Sequence, residues 1–244
     1  LSMGLPYGRY IVSEVKFPDG YTYSGQTEYP ITICDETQFI TVRAVNKLKS
    51  SRLKVIKADS ETGQTVKGVT GFKLKNTKTG EESEVYYTDE NGSLTLPSEI
   101  TYGNYELIEV IPPNGYVLNT TPVLFSIDGN TPEVIIQLSD KPEKGKISVL
   151  KRGEMFSSVE DSEDRYVPVY SKKGLTGAEF EVSAAEDIYT PDGTLRCAKG
   201  EKADSIITGE DGKATTKPLF LGKYEIRETK APNGYVLTNE PVYG

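Results

Sequence analysis

Histidine and tryptophan are absent from the 244 residues, and cysteine occurs only twice, as Cys34 and Cys197. Without histidine there is no Ser-His-Asp or Cys-His nucleophile pair and no histidine-ligated metal. The two cysteines stand 163 positions apart (197 − 34) and match no metal or redox spacing. They read as small apolar residues or surface thiols. No apolar run reaches the roughly 18 residues of a bilayer span, so no membrane insertion is expected in this segment. Basic residues are in deficit, 28 against 36 acidic ones for a net charge of −8. That is the opposite of the footprint of a nucleic-acid or anionic-membrane binder. The opening Leu1-Ser2-Met3-Gly4 lacks the basic head of a signal peptide, so the sequence reads as a piece of something longer, its address signals outside it.

What is present is enough for a folded core, with 36% hydrophobic and 26% charged residues in a length that suits one large domain or two to three small ones. Sixteen of the 23 aromatics are tyrosine, a composition better suited to half-exposed strands than to a large apolar pocket. One pattern occurs three times with the same internal spacing. Gly8, Tyr10, Val12 and Glu14 lead to Pro18-Asp19-Gly20-Tyr21; Gly103, Tyr105, Leu107 and Glu109 lead to Pro113-Asn114-Gly115-Tyr116; Gly222, Tyr224, Ile226 and Glu228 lead to Pro232-Asn233-Gly234-Tyr235. The copies lie 95 and 119 residues apart, so the repeating unit has the size of a small domain.

Short β-branched runs bounded by Gly, Pro, Asn and Asp accompany each copy and read as strands. Leu53–Lys57 and Ile147–Lys151 open units, Phe39–Asn46 and Val134–Asp140 close them, and Asp89–Gly92 and Gly209–Gly212 read as hairpin turns. Nothing sustains a helical period. The expected fold is all-β, sandwiches in tandem, with incomplete terminal units. Residues 1–50 form the back part of one unit, 51–143 a complete unit, and 144–244 a unit lacking its last strand. Short linkers at Leu48–Ser51 and Lys141–Gly145 predict a fairly stiff rod. The third unit carries two insertions, an acidic one from Arg152 to Tyr170 that includes Glu160-Asp161-Ser162-Glu163-Asp164, and one from Ala184 to Ser205; both read as solvated loops.

Side chains two apart share a strand face, so each box glutamate lies in register with the apolar stripe of its Tyr and aliphatic residue. Lys57 aligns with Leu53 and Val55, Lys151 with Ile147 and Val149, Asp140 with Ile136 and Leu138, and Asn46 with Ile40 and Val42. One inward glutamate reads as a solvated edge carboxylate, and one inward lysine as a side chain snorkelling to water. Three strands repeating the placement demand compensation, because a buried unpaired charge costs several kcal/mol and even a pair recovers its desolvation poorly. A chemical compensation exists: a lysine amine attacks the side-chain carbonyl of Asn or Asp while a buried carboxyl relays protons, leaving a neutral amide. Asp59, Asp128 and Asp211 lie in acidic turns without calcium-loop spacing, so no metal or other cofactor is expected.

The G-x-Y-x-[LIV]-x-E…P-x-G-Y box, the opening V-x-K strand and the closing strand ending in Asn or Asp resemble the Cna-B domains (collagen-adhesin B-type, SpaA-type, prealbumin-like) of Gram-positive surface adhesins and pilins. The resemblance covers nearly the whole chain. It implies inverse immunoglobulin-like sandwiches forming stalks or pilus shafts, cell-wall anchored outside this segment, many with an autocatalytic isopeptide bond between first and last strands. Carried over, Lys57 is the nucleophile, Asp140 the acceptor and Glu109 the catalytic acid; Asp140 departs from the commoner asparagine, so water leaves instead of ammonia. In the outer copies the acids are Glu14 and Glu228, with Asn46 and Lys151 as cross-link candidates lacking the opposite member within the chain. The expected partners are neighbouring domains of the same protein. The competing function is a host-ligand module that contacts extracellular matrix or glycan through the long segments of the third unit. A turnover enzyme is not expected.

Overall fold

Every regular element among the described residues of the computed structural model is a β-strand; those residues are 4–35, 39–163, 165–237 and 240–244. Leu1 to Met3 of the opening segment and Asp164 of the acidic stretch lie outside them. Packing groups the chain into two units, the first comprising Leu1–Lys57, Val69–Pro112 and Leu118–Leu138, the second Ala58–Gly68, Pro113–Val117 and Ser139–Gly244.

In the first unit, β1 (Gly8–Ser13), β2 (Tyr21–Tyr23), β3 (Glu28–Ile33) and β4 (Asn46–Leu48) make two antiparallel pairs, β1 with β3 and β2 with β4. The strands β5 (Ser50–Asp59), β6 (Gly71–Asn76), β7 (Tyr86–Tyr87), β8 (Ser93–Thr95), β9 (Ile100–Thr101), β10 (Gly103–Ile111), β11 (Val123–Ile127) and β12 (Glu133–Asp140) build a sandwich. One layer runs β11-β10-β6-β7 and the other β12-β5-β8, with β9 also on β5. Leu53, Val55, Leu94, Ile136 and Leu138 from one layer meet Phe72, Leu74 and Leu107 from the other in one buried cluster. Each such side chain contributes about 1.5–3 kcal/mol by leaving water. The Arg52 N–H donates to the Pro132 carbonyl and the Ser60 N–H to that of Asp140. The same offset of 80 at both ends means that β5 and β12 run in the same direction.

Two expectations change here. The segment Phe39–Val45 forms no strand; β4 begins only at Asn46, although Ile40, Val42 and Ala44 alternate as a strand would. A strand needs a ladder partner, and among the described residues none pairs with this segment. Phe39 is therefore 99% exposed, and Val12, Ile31, Ile33, Ile40 and Val42 line an open cavity of about 920 Å³. The Asp89–Gly92 turn does not close a hairpin either: it joins β7, paired with β6, to β8, paired with β5, so it is a corner between layers.

In the second unit, β13 (Lys144–Gly145), β14 (Ser148–Leu150), β15 (Arg152–Ser162), β16 (Arg165–Gly174), β17 (Glu179–Ala184), β18 (Ile188–Tyr189) and β19 (Leu195–Cys197) precede β20 (Lys202–Ile207), β21 (Lys213–Thr215), β22 (Leu219–Phe220), β23 (Tyr224–Lys230) and β24 (Val242–Tyr243). A sheet ordered β20-β17-β23-β24 stands over the pairs β14-β21 and β13-β22, and the core between them holds Phe180, Val182, Ile206, Ala214, Leu219, Tyr224 and Ile226. The Gly209–Gly212 turn is again a corner, leading from β20 to β21 in different sheets.

The insertions are hairpins, not loops. Residues 152–174 form a two-stranded ribbon, β15 on β16, with a bulge between Phe156 and Ser158. Its Tyr166, Val167, Val169 and Tyr170 face Phe156, Ser158, Glu160 and Asp161, a β-forming half whose signal the acidic residues masked. The other insertion contains the β18–β19 hairpin. At its tip the half-buried Asp192, its side chain closed off from water, accepts hydrogen bonds from the hydroxyls of Thr190 (2.5 Å), Thr194 (2.6 Å) and Thr62 (2.8 Å). Burial alone would raise the Asp192 carboxyl, but these hydrogen bonds outweigh it and lower the pKa from 3.8 to about 2. A pKa depressed by folding stabilises above the unfolded value and stops doing so as pH falls through the folded one. Asp192→Asn should therefore destabilise more at about pH 5 than at about pH 2, a difference read from urea midpoints.

The repeated box has a local geometry in all three copies. The N–H of Tyr21, Tyr116 and Tyr235 donates to the carbonyl of Pro18, Pro113 and Pro232 at 3.1, 3.2 and 3.0 Å, closing a four-residue turn. Its third residue has φ of +84°, +78° and +85° at Gly20, Gly115 and Gly234, which only glycine adopts freely. The first box tyrosine also closes a loop on itself: the hydroxyls of Tyr10, Tyr105 and Tyr224 donate to the carbonyls of Pro6, Thr101 and Phe220, four residues upstream, at 2.8, 3.0 and 2.9 Å.

Candidate cross-link site

Alternation along β5 places Leu53, Val55 and Lys57 on the core side, and along β10 it does the same for Tyr105, Leu107 and Glu109. The Lys57 Nζ lies 3.0 Å from Glu109 Oε2, and both side chains are fully inaccessible to water. Neither the snorkelling lysine nor the solvated edge carboxylate is what the fold contains. The Phe72 ring, 6.0 Å from Nζ, belongs to the apolar wall around the ion pair. Asp140 is the buried last residue of β12, the strand beside β5, and its backbone carbonyl is fixed by the Ser60 N–H at 2.8 Å.

The outer copies each display part of the same constellation. Near the start of the chain, half-buried Asn46 donates from Nδ2 to Glu14 Oε1 at 2.9 Å. Near its end, Lys151 Nζ lies 2.8 Å from Glu228 Oε1 and 2.9 Å from Oε2, with Glu228 buried on β23. One copy thus brings the glutamate to an asparagine, and the other two bring it to a lysine. Among the described residues, no group of three or more His, Cys, Asp or Glu is placed to hold a metal ion, and no helix is long and apolar enough to cross a membrane.

The family described as SpaA, prealbumin-like fold domain, matches residues 1–48, 51–142 and 168–243. The chain belongs to the SpaA family. Its sandwiches have the prealbumin-like fold of that family. This SpaA chain is 29% identical over 195 residues to the fimbrial subunit type 2 of Actinomyces naeslundii, covering 70% of this chain and 31% of that protein. It is 29% identical over 172 residues to the trypsin-resistant surface T6 protein of Streptococcus pyogenes serotype M6, covering 62% and 29%. The solved structure of the Bacillus anthracis TIE protein matches with a TM-score of 0.59 and 26% identity, over 98% of this chain and 39% of that one. The SpaA chain therefore spans under a third of the length of the two curated relatives.

Sequence reasoning overlooked a buried hub two residues beyond Lys57. Asp59, read only as a turn residue, is fully buried; its Oδ1 accepts from the N–H groups of Glu61 (2.7 Å) and Thr62 (3.0 Å), and its Oδ2 from the Tyr116 hydroxyl (2.9 Å). Burial, with the Asp59 carboxylate beside it, raises the Tyr116 phenol far above its ordinary value, so it stays a donor. The recurrence of the box tyrosine was a signal for Tyr116, but its partner lies 57 residues away and carries no local mark.

Proposed function

We propose that the chain is a shaft-type segment of a Gram-positive surface fimbria or pilus, made of three SpaA repeats over 1–50, 51–143 and 144–244, the middle one stapled by an amide between Lys57 and Asp140. The family matches at 1–48 and 51–142 support the first two repeats, and the match at 168–243 supports a third whose first 24 residues it leaves out. The fimbrial and surface relatives support the setting, a protein exposed on the cell surface whose partners are neighbouring repeats of the same protein. The observation that carries the staple is the fully buried pair of Lys57 on β5 and Glu109 on β10, with Asp140 buried at the end of β12, the strand beside β5.

In this reaction Glu109 takes a proton from the Lys57 ammonium, and the freed amine attacks Cγ of Asp140. The N–Cγ bond forms, one Cγ–O bond breaks, and that oxygen leaves as water carrying the proton returned by Glu109 and a second proton given up by the attacking nitrogen. An ammonium and a carboxylate become a neutral amide plus water, so no oxidant or energy source is consumed. Both ions vanish from a site where each was poorly solvated. Intact mass spectrometry of the 244-residue chain should read one water below the sequence mass, and digestion should yield a branched peptide joining Lys57 to Asp140. A full sequence mass would leave a buried ion pair and no staple.

A second reading, host-ligand binding, is favoured by the β15–β16 ribbon, where Phe156 (59% exposed), Tyr166 (80%) and Tyr170 (57%) stand in water. Phe156 and Tyr170 face each other across the ribbon in an edge-on contact, an arrangement that suits a flat partner surface.

A further inference from the structure

The insertion between Ala184 and Ser205 has no part in the staple, yet its hairpin holds the most heavily bonded polar cluster of the second unit. Arg196 on β19 donates from Nη2 to Asp59 Oδ2 at 2.6 Å, from Nη1 to Glu61 Oε2 at 3.1 Å, and from Nε to the Thr190 hydroxyl at 2.8 Å. Its guanidinium also lies 4.7 Å from the centre of the Phe220 ring. A planar fork used on two carboxylates and an aromatic face is a task that arginine performs and lysine does not. From the other side, the Thr62 hydroxyl donates to Asp192 Oδ2 at 2.8 Å. The contacts therefore run both ways between the 59–62 turn and the hairpin, across 130 to 137 positions of sequence. Pro191 completes the fit: a Cβ added to Gly115 would lie 3.6 Å from its ring, so the P-N-G-Y turn also abuts the hairpin tip.

The Arg196 side chain is 9% accessible, and those of Asp59 and Asp192 are 0% accessible. This is not a solvent-screened surface pair of little worth. Among the described residues, Arg196 is the one cation bonded to Asp59, whose other hydrogen bonds come from neutral donors. The residues gripped, 59–62 and 115–116, belong to the middle repeat in the proposed boundaries, and the residues gripping belong to the third.

We propose that the β18–β19 hairpin is an inter-repeat brace, with Arg196 and Asp192 docking the third repeat onto the 59–62 and P-N-G-Y turns of the middle one. Its partner is the preceding repeat of the same chain, recognised by a buried carboxylate and a threonine hydroxyl. The inference rests on the repeat boundaries and is independent of the staple. Hydrogen exchange of the full chain, read by mass spectrometry, tests it. Arg196→Ala should speed exchange of the peptide covering 59–64, whose Glu61 and Thr62 N–H groups bind Asp59, on the order of tenfold or more, since charge-assisted hydrogen bonds hold that turn shut. Arg196→Lys should recover only part of the protection, and Arg227→Ala, on the exposed face of β23, should leave it unchanged. Asp192→Ala removes the Thr62 contact from the hairpin side while leaving residues 59–64 and Arg196 unchanged, and should also speed exchange at 59–64, which covers the case in which Arg196→Ala fails to fold. Faster exchange confined to 188–197, with 59–64 as protected as in the parent chain in both variants, would overturn the brace. Intact masses of the same samples report the staple separately, so loss of one reading is visible without loss of the other.

Discussion

Lys57→Ala is expected to return the chain to its full sequence mass and to produce the largest loss of stability of any single change at the site. Two effects combine. The staple closes a loop of about 83 residues, and the chain-entropy account values such a closure at about 4–5 kcal/mol. Compared with a chain that keeps the unreacted ammonium beside Glu109, Lys57→Ala also leaves that carboxylate buried without a cation, which for a buried pair costs about 3–5 kcal/mol. Asp140→Ala separates the two, because it abolishes the bond but keeps Lys57 and Glu109 at their 3.0 Å contact. Urea or guanidinium midpoints should therefore fall in the order parent, Asp140→Ala, Lys57→Ala. Glu109→Gln keeps the shape of the acid and removes its proton-carrying capacity, so its mass should remain at the full sequence value with Lys57 and Asp140 both intact. A Glu109→Gln protein that still loses water would remove Glu109 from the mechanism.

The second large effect is expected from Phe72→Ala. Phe72 is fully buried, packs in the sandwich core and sits 6.0 Å from the Lys57 amine. Truncating a buried phenylalanine costs about 3–5 kcal/mol through lost transfer energy and the cavity left behind. Here it also admits water beside the ion pair, which solvates the ammonium and carboxylate and weakens the reason for exchanging their proton. Freshly refolded Phe72→Ala should lose water more slowly than the parent chain when mass is followed over time. Phe72→Leu refills most of the volume and should recover most of the rate. Equal rates in Phe72→Ala and the parent would show that dryness at this wall is unimportant to the chemistry.

The sandwich was legible because its evidence is local and repeated. Tyr105, Leu107 and Glu109 alternate on one strand, the box recurs, and glycine marks the turn at each Pro-x-Gly-Tyr. The inward glutamates were legible for the same reason, since a period of two fixes the face once the apolar stripe is known. Three things were not. Phe39–Val45 carries a strand pattern but lacks a ladder partner among the described residues, and pattern alone cannot supply one. The β15–β16 ribbon was hidden because both of its faces meet water, so no apolar alternation betrays it. The Asp59 hub joins Tyr116 and Arg196 from 57 and 137 positions away, and such contacts leave no mark on short-range spacing.

The tyrosine that reaches back four residues bears on the order in which a repeat assembles. Closing so short a loop carries little entropy penalty, whereas bringing Lys57 to Glu109 spans 52 positions. In a newly made chain the acid-bearing ribbon can set early, at each copy on its own, while the amine must wait for distant strands to arrive. The proposed covalent closure would thereby follow native docking, fixing a conformation already attained instead of trapping a misthreaded one.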